Sequence, residues 1–203
     1  MRAEVIVVGL GAMGAAALYQ LAVRGVRAIG VDRFSPPHDL GSSHGETRIT
    51  RHAIGEGAAY APLAMRSHEI WRELEAQSGL ELLAPCGLLT LAPADGRAQA
   101  HGKSDFLGRA MAVAQEFAIP HEVLNPQEVM DRWPQFHLTG EERGLFEPGG
   151  GMVFPERCIG AQLQAAQRLG ARILPQTEAL AVEDAPGGVR VTTAAGAFEA
   201  DQA

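Results

Sequence analysis

Only two cysteines, Cys86 and Cys158, occur in 203 residues, and neither belongs to a C-x-x-C pair. That argues against a disulfide framework, and two lone thiols suit a reducing compartment such as the cytoplasm. Positive charge is also scarce: 17 Lys plus Arg face 24 acids, a net charge of −7, which disfavours nucleic acid as a partner. No metal constellation is visible. His38, His44, His52, His68, His101, His121 and His137 are scattered, and none forms H-E-x-x-H or pairs with cysteine at zinc spacing. There is no G-x-S-x-G and no G-x-x-x-x-G-K-[ST], and Cys86 lacks a local sign of thiolate activation. Paired carboxylates have no locating signal. The chemistry left standing is redox chemistry carried by a cofactor, for which the protein supplies position, charge and exclusion of water.

The first 32 residues fit that role. Val5–Val8 reads as a buried strand, and Gly9, Gly11 and Gly14 follow in G-x-G-x-x-G spacing. Ala15–Val23 is helix-forming and free of proline, and a second apolar run ends at Asp32, 18 residues after Gly14. Gly9 permits the tight strand-to-helix turn, Gly11 lets backbone approach a pyrophosphate, and Gly14 lets the helix lie close to the sheet. An acid at the tip of the second strand accepts hydrogen bonds from a ribose hydroxyl pair. A hydropathy window flags Val5–Val23 as a membrane span. The three spaced glycines, Tyr19 and Gln20 within the run and Asp32 beyond it point away from a membrane and to a dinucleotide fold.

Arg33–Asp39 contains adjacent prolines and excludes regular structure. Next comes a polar segment, Gly41–Gly57, with Ser42, Ser43, His44, Thr47, Arg48, Arg51 and His52 crowded into eleven positions. Small donors alternating with glycines and two arginines suit a loop that wraps a phosphate-bearing cofactor. A nicotinamide enzyme and a flavoenzyme share the opening fingerprint. The long loop after Asp32 favours a cofactor that outruns the groove and continues toward a second domain.

Periodicity then predicts a helix over Tyr60–Ser78 with Leu63, Ser67, Ile70, Trp71 and Leu74 on one face and Trp71 in the core. Short strands are expected at Leu80–Leu83 and Gly87–Leu91, with a partly buried Cys86 between them. A helix is expected over Asp105–Phe117. Asn125-Pro126-Gln127-Glu128 carries a capping-box signature, and Trp133-Pro134 ends that short helix. Two strand-like pieces flank a glycine turn in Gly144–Phe154. Pro155 opens a helix to Leu169 that carries Cys158 in a core pattern and is closed by Gly170. Strands are expected at Arg172–Leu174 and Thr177–Val182. A hairpin is expected from Val189–Thr193 and Ala197–Ala200, which reads as a return to the dinucleotide domain.

Val5–Gly14, Asp32–His38 and Gly41–Ala53 together resemble the amine-oxidising flavoproteins that include monomeric sarcosine oxidase and N-methyltryptophan oxidase. The G-S-x-H-G-x-T-R-x-x-R-H block at Gly41–His52 is far more specific than the glycine triplet. Gly55–Gly57, Arg132–Pro134, Phe146–Pro148, Gly151–Phe154 and Gly170–Leu174 extend the likeness over nearly the whole chain. The resemblance implies an α/β fold: a Rossmann-like FAD-binding domain interleaved with an α+β substrate domain, incomplete at the C-terminus. Residues 1–80 and 151–203 would belong to the FAD-binding domain and 81–150 to the substrate domain.

By the same resemblance the cofactor is FAD. Gly9, Gly11 and Gly14 meet the pyrophosphate, Asp32 the ribose, Arg33 the adenine end, and backbone near Ala179 the adenine. Ser42, Ser43, His44, Thr47 and Arg48 line the flavin. Arg48, Arg51 and His44 form the expected catalytic set, Arg51 pairing with the substrate carboxylate. The implied reaction is oxidation of the N-methyl group of a small amino acid, foremost sarcosine, with O2 as acceptor, by a monomer that gives glycine, formaldehyde and H2O2.

Ile54 stands where close relatives tend to carry tyrosine. Family members are close to twice this length. The flavin-linking cysteine, the lysine for reaction with oxygen and a second carboxylate-binding lysine fall beyond the present sequence, which therefore reads as an N-terminal part. A nicotinamide-dependent dehydrogenase, or an inert piece or subunit that needs a second chain, is the alternative.

Overall fold

The computed structural model describes residues 2–97, 102 and 104–203. His101 lies outside the described residues. In chain order the elements begin β1 (Arg2–Val8), α1 (Ala12–Val23), β2 (Ala28–Val31), β3 (Arg48–Thr50), α2 (Ala61–Ser78), β4 (Leu83–Ala84) and β5 (Leu88–Pro93). They continue α3 (Phe106–Glu116), β6 (Glu122–Leu124), α4 (Pro126–Arg132), β7 (Glu142–Glu147), β8 (Gly151–Val153) and α5 (Pro155–Arg168). Then come β9 (Arg172–Leu174), β10 (Ala179–Ala185), β11 (Gly188–Thr193) and β12 (Gly196–Gln202). The chain divides into two compact units: Met1–Arg48, Leu74–Leu82 and Phe154–Ala203 in the first, Ile49–Glu73 and Leu83–Val153 in the second.

In the first unit, β1 and β2 pair in parallel around the crossover helix α1, and β9 extends the parallel set. β12 joins the other edge of β1 in parallel and carries the antiparallel meander β12-β11-β10, so the sheet order is β10-β11-β12-β1-β2-β9. Within the apolar run of β1 only Ile6 is buried and Val8 is exposed, so Val5–Val8 is not the fully buried strand expected; Ile6, Val31 and Val191 are almost wholly removed from water. Each such side chain stabilises by about 1.5–3 kcal/mol. Helix α1 is apolar on several sides because it lies between the sheet and α5. Gly30 makes that approach possible: a Cβ there would sit 2.8 Å from both Leu10 and Leu18.

Helix α5 opens on Pro155 at its first turn and buries Cys158, Ile159, Gln162, Leu163 and Ala166 at spacings of three and four. The Cys158 thiol donates to Leu82 O at 3.6 Å, and burial pushes its pKa up to about 12, so it is an inert core group.

The second unit holds the antiparallel sheet β5-β7-β6 and the small sheet β3-β8-β4. Its core joins Leu107, Ala110, Val113 and Ala114 of α3 to Ala53, Ala61, Ile119 and Leu145. Asp105 caps α3 by accepting from Gly108 N at 3.1 Å. Asn125 and Glu128 form both halves of the expected capping box, at 3.0 and 2.7 Å.

Four other local expectations are corrected. Leu80–Leu82 is not strand, because Leu82 N donates to the Glu75 carboxylate (2.8 Å) and Leu82 O accepts from Phe154 N (3.0 Å), leaving only Leu83–Ala84 to pair. Strand β10 starts at Ala179 rather than Thr177, since Thr177 N is already given to Asp32 O at 2.7 Å. On α2 the buried positions are Ala61, His68 and Leu74, while Leu63 is 67% exposed and Trp71 only half-buried. Apolar periodicity was misleading there because a histidine takes the inward position. Cys86 is exposed, not partly buried.

Among the described residues no helix is long and apolar enough to cross a membrane. The apolar stretch Val5–Val23 is broken into strand, turn and helix by Gly9–Gly11.

Candidate functional site: a nucleotide groove and an arginine segment

Where β1 and β2 end, the first unit opens a groove of about 420 Å³. Gly9 closes β1 with φ +86°, a conformation that costs glycine little, and donates its N–H to Val31 O at 2.8 Å. The chain then turns directly into α1. Gly14, one turn into that helix, backs onto the Gly9 carbonyl; a Cβ there would lie 1.7 Å from Gly9 O. Helix α1 has no acidic residue in its first turn and no side-chain cap from Gly11. Its N-terminal N–H groups and dipole therefore favour an anion in the groove. Ser43, from the polar loop, accepts from Ala12 N at 3.1 Å, and a Cβ on Gly11 would meet the same Oγ at 3.2 Å.

At the tip of β2, Asp32 is 6% exposed. Its Oδ2 accepts from Leu10 N at 2.7 Å and its Oδ1 from Phe34 N at 2.8 Å, with His38 Nε2 3.4 Å away. The carboxylate thus ties the glycine turn to the segment after β2. A carboxylate has about four acceptor positions, so capacity for a hydroxyl donor remains.

The groove brings together Gly9, Gly11, Asp32, Arg33, Ser42, Ser43 and Ala179 of the expected cofactor residues, with Gly14 behind the turn. Arg33 sits at the rim, 3.5 Å from Glu178. His44, Thr47 and Arg48 are not among the groove-lining residues. Arg48 instead turns its guanidinium back on its own loop, donating to the carbonyls of Thr47 (2.8 Å), Ser42 (3.3 Å) and His44. The far side of that loop is held by Glu156, which accepts from Gly45 N at 2.7 Å. These bonds place Glu156 below the ordinary carboxylate range. Sequence reasoning missed Glu156, Thr177 and Glu178, which reach the groove or its loop from more than a hundred residues away and carry no local signature.

Arg51 belongs to the second unit. Its Nη2 donates to both oxygens of Glu56, at 2.8 and 3.0 Å, and its guanidinium lies 5.6 Å from the Phe106 ring centre. Both side chains of the pair are less than a third exposed, 22% and 28%. A largely buried guanidinium with one nitrogen shared between both oxygens of a carboxylate is a carboxylate receptor already closed on an internal carboxylate.

The adjoining backbone is anchored from below. Glu147, 2% exposed, accepts from His52 N (2.7 Å), Ala53 N (3.0 Å) and His52 Nδ1 (3.1 Å). Burial pushes the Glu147 carboxyl up, but these hydrogen bonds together hold it below its usual value. Thr50 Oγ1 and His68 Nε2 are 2.7 Å apart, and the His52 and His68 rings lie 4.0 Å centre to centre.

Burial, and then the neighbouring His52, push His68 down to about 4. The unfolded chain takes up that proton near the ordinary histidine value of about 6.5, so between about 6.5 and 4 the unfolded state binds more protons. Stability from this residue is present above about pH 6.5 and is lost as pH falls toward 4. On the order of 2–3 kcal/mol is expected to go. Urea titrations of the native chain and His68→Gln at several pH values check this: the variant should lose distinctly less stability on acidification, and parallel losses would refute it.

The sequence pattern of the family described as FAD dependent oxidoreductase matches residues 4–202. Monomeric sarcosine oxidase of Bacillus sp. (strain B-0618) is 41% identical over 199 residues, 98% of this chain and 49% of that protein. N-methyl-L-tryptophan oxidase of Yersinia pestis (strain Pestoides F) is 36% identical over 197 residues, covering 97% of this chain and 51% of that protein. The chain therefore spans about half the length of the curated relatives it matches. Among solved structures, NikD, an amino acid oxidase of nikkomycin biosynthesis, superposes with TM-score 0.81 at 24% identity over 98% of this chain and 50% of its own. Glycine oxidase from Geobacillus kaustophilus does so with TM-score 0.76 at 24% identity over 98% and 54%. These two likenesses concern the fold. The pattern match over 4–202, which contains the glycine turn and Asp32, makes this chain a member of the FAD dependent oxidoreductase family.

Proposed function

We propose that the groove of the first unit holds the ADP half of FAD and that the whole protein oxidises a small N-methyl amino acid, sarcosine foremost. The observation that carries the reading is the Gly9–Gly14 turn packed against Asp32, an open cradle that added side-chain atoms would fill. We assign the FAD-binding domain to the first unit, which narrows its first segment from 1–80 to Met1–Arg48 with Leu74–Leu82.

Bound FAD would supply a two-electron acceptor, with O2 as the final acceptor giving H2O2. The chain's own residues bind and orient. N–H groups at the start of α1 meet the pyrophosphate, and Asp32 accepts from the ribose. Arg48 and Glu156 keep the Ser42–Thr47 loop in one shape, with the charge of Arg48 retained beside it. Ser42, Ser43, His44 and Thr47 offer that loop's polar groups to the flavin.

Arg51 exchanges Glu56 for the substrate carboxylate, a swap between like partners that leaves its charge compensated throughout. Loss of a hydride equivalent, two electrons and one proton, from the N-methyl carbon of the neutral amine gives a protonated imine, and water then splits it into glycine and formaldehyde. The two unpaired cysteines and the acidic surface suit a cytoplasmic monomer.

The Arg51→Ala enzyme should bind sarcosine roughly 30- to 100-fold more weakly, the loss of a bidentate charge-assisted contact. An amine lacking a carboxylate should be little affected. Peroxide assays with both compounds read this out, and an unchanged apparent affinity for sarcosine would remove Arg51 from the role. NADH binding by protein that takes up no FAD would instead favour a nicotinamide-dependent dehydrogenase.

A further inference from the structure

We infer that Glu147 is a positioning residue for Arg51, supported by His68, so that anion recognition at Arg51 depends on buried polar groups from β7 and α2. The inference rests on the reading of Arg51 as a carboxylate receptor. The geometry points to it because the backbone on both sides of Arg51 is held by buried groups, while its side chain is held only by Glu56, a carboxylate that another carboxylate can replace. Thr50, just before it, is held through Oγ1 by His68 Nε2 at 2.7 Å. His52 and Ala53, just after it, give their N–H groups to the two oxygens of Glu147 at 2.7 and 3.0 Å. The His52 ring adds a third contact to Glu147 at 3.1 Å and packs on His68. Farther along, Arg109 Nε donates to Gly55 O at 2.8 Å, next to Glu56.

A neutral acceptor would have satisfied two amides. A carboxylate buried to 2% exposure is a costly choice for that task alone. Its return is stiffness, since hydrogen bonds to a full charge are roughly twice as strong as neutral ones. The guanidinium of Arg51 can then trade Glu56 for another carboxylate with no shift of the segment that carries it. Glu147, His52 and Arg72 are the charged or titratable groups that act on His68, and burial leaves it the neutral partner of Thr50.

The first test uses the isotope-labelled chain without cofactor. Hydrogen exchange of the Arg51 side-chain N–H should quicken roughly tenfold in Glu147→Gln, as its pairing with Glu56 loosens. Glu147→Asp, which keeps the charge, should recover part of the slow exchange. The second test uses FAD-loaded protein. The preference for sarcosine over sarcosine amide should fall about tenfold in Glu147→Gln while FAD affinity holds, a split that general destabilisation would not give. Should Glu147→Gln fail to fold, His68→Gln reads the same two quantities from the Thr50 side with a smaller change, about threefold. Unchanged exchange and unchanged preference in the folded variants overturn the inference. Retention of the preference in Arg51→Ala overturns the carboxylate reading of Arg51 instead.

Discussion

Gly14→Ala should destabilise the first unit by about 3 kcal/mol or more and abolish nucleotide binding. The added carbon would sit 1.7 Å from Gly9 O, 2.9 Å from Gly9 C and 3.3 Å from Val7 Cγ1. Two of those neighbours are backbone, in a turn whose φ of +86° already limits its freedom. Either α1 must back away from the sheet or the turn must open, and each destroys the geometry that aims N–H groups at a phosphate. The intrinsic helix preference for alanine, about 1 kcal/mol, is too small to offset this. Gly160→Ala in α5 is the matched control. Nothing lies within 4 Å of its added Cβ, so it should stabilise by about 0.5–1 kcal/mol. Urea unfolding of both variants reads the difference in sign, and a Gly14→Ala protein as stable as the native chain would mean the helix is not seated on the turn as described.

Asp32→Ala should cost about 2–4 kcal/mol and weaken nucleotide binding in the same step. Its carboxylate takes the Leu10 N–H at 2.7 Å, and Leu10 is fully buried, so deletion leaves a buried donor without an acceptor. The second bond, from Phe34 N at 2.8 Å, holds the start of the Arg33–Asp39 segment that forms one wall of the groove. Asp32→Asn should lose less stability, since one acceptor remains, but its amide N–H₂ must face one of the two donors. Equal nucleotide affinity in native chain and Asp32→Ala, measured by calorimetric titration, would remove Asp32 from the ribose role.

The dinucleotide core was legible because local rules suffice for it. A strand, three spaced glycines, a helix and an acid at the next strand's tip specify one another within 32 residues, and the structure places them so. The Asn125–Glu128 capping box was readable for the same reason. The hairpin at Val189–Ala200 was also legible, although only the sheet register shows β12 running on parallel to Arg2–Val5. What stayed hidden depends on distance. Glu156 reaches Gly45 across 111 positions, and Glu147 reaches His52 across 95. In sequence each is one acid among 24. His68 was left out of the inward face of α2 because its neighbours, not its own polarity, decide that it is buried. Arg48 also donates to carbonyls of its own loop, a structural role that residue type does not reveal.

The most direct measurement is a titration of the labelled chain with FAD, and separately with ADP, followed by the backbone amide signals. If the groove holds the ADP half, both ligands should shift the amides of Gly9–Ala15 and Asp32–Phe34 together with Ser42 and Ser43, and Gly14→Ala should erase the response. FAD that leaves those amides unmoved, or shifts confined to other parts of the chain, would contradict the assignment.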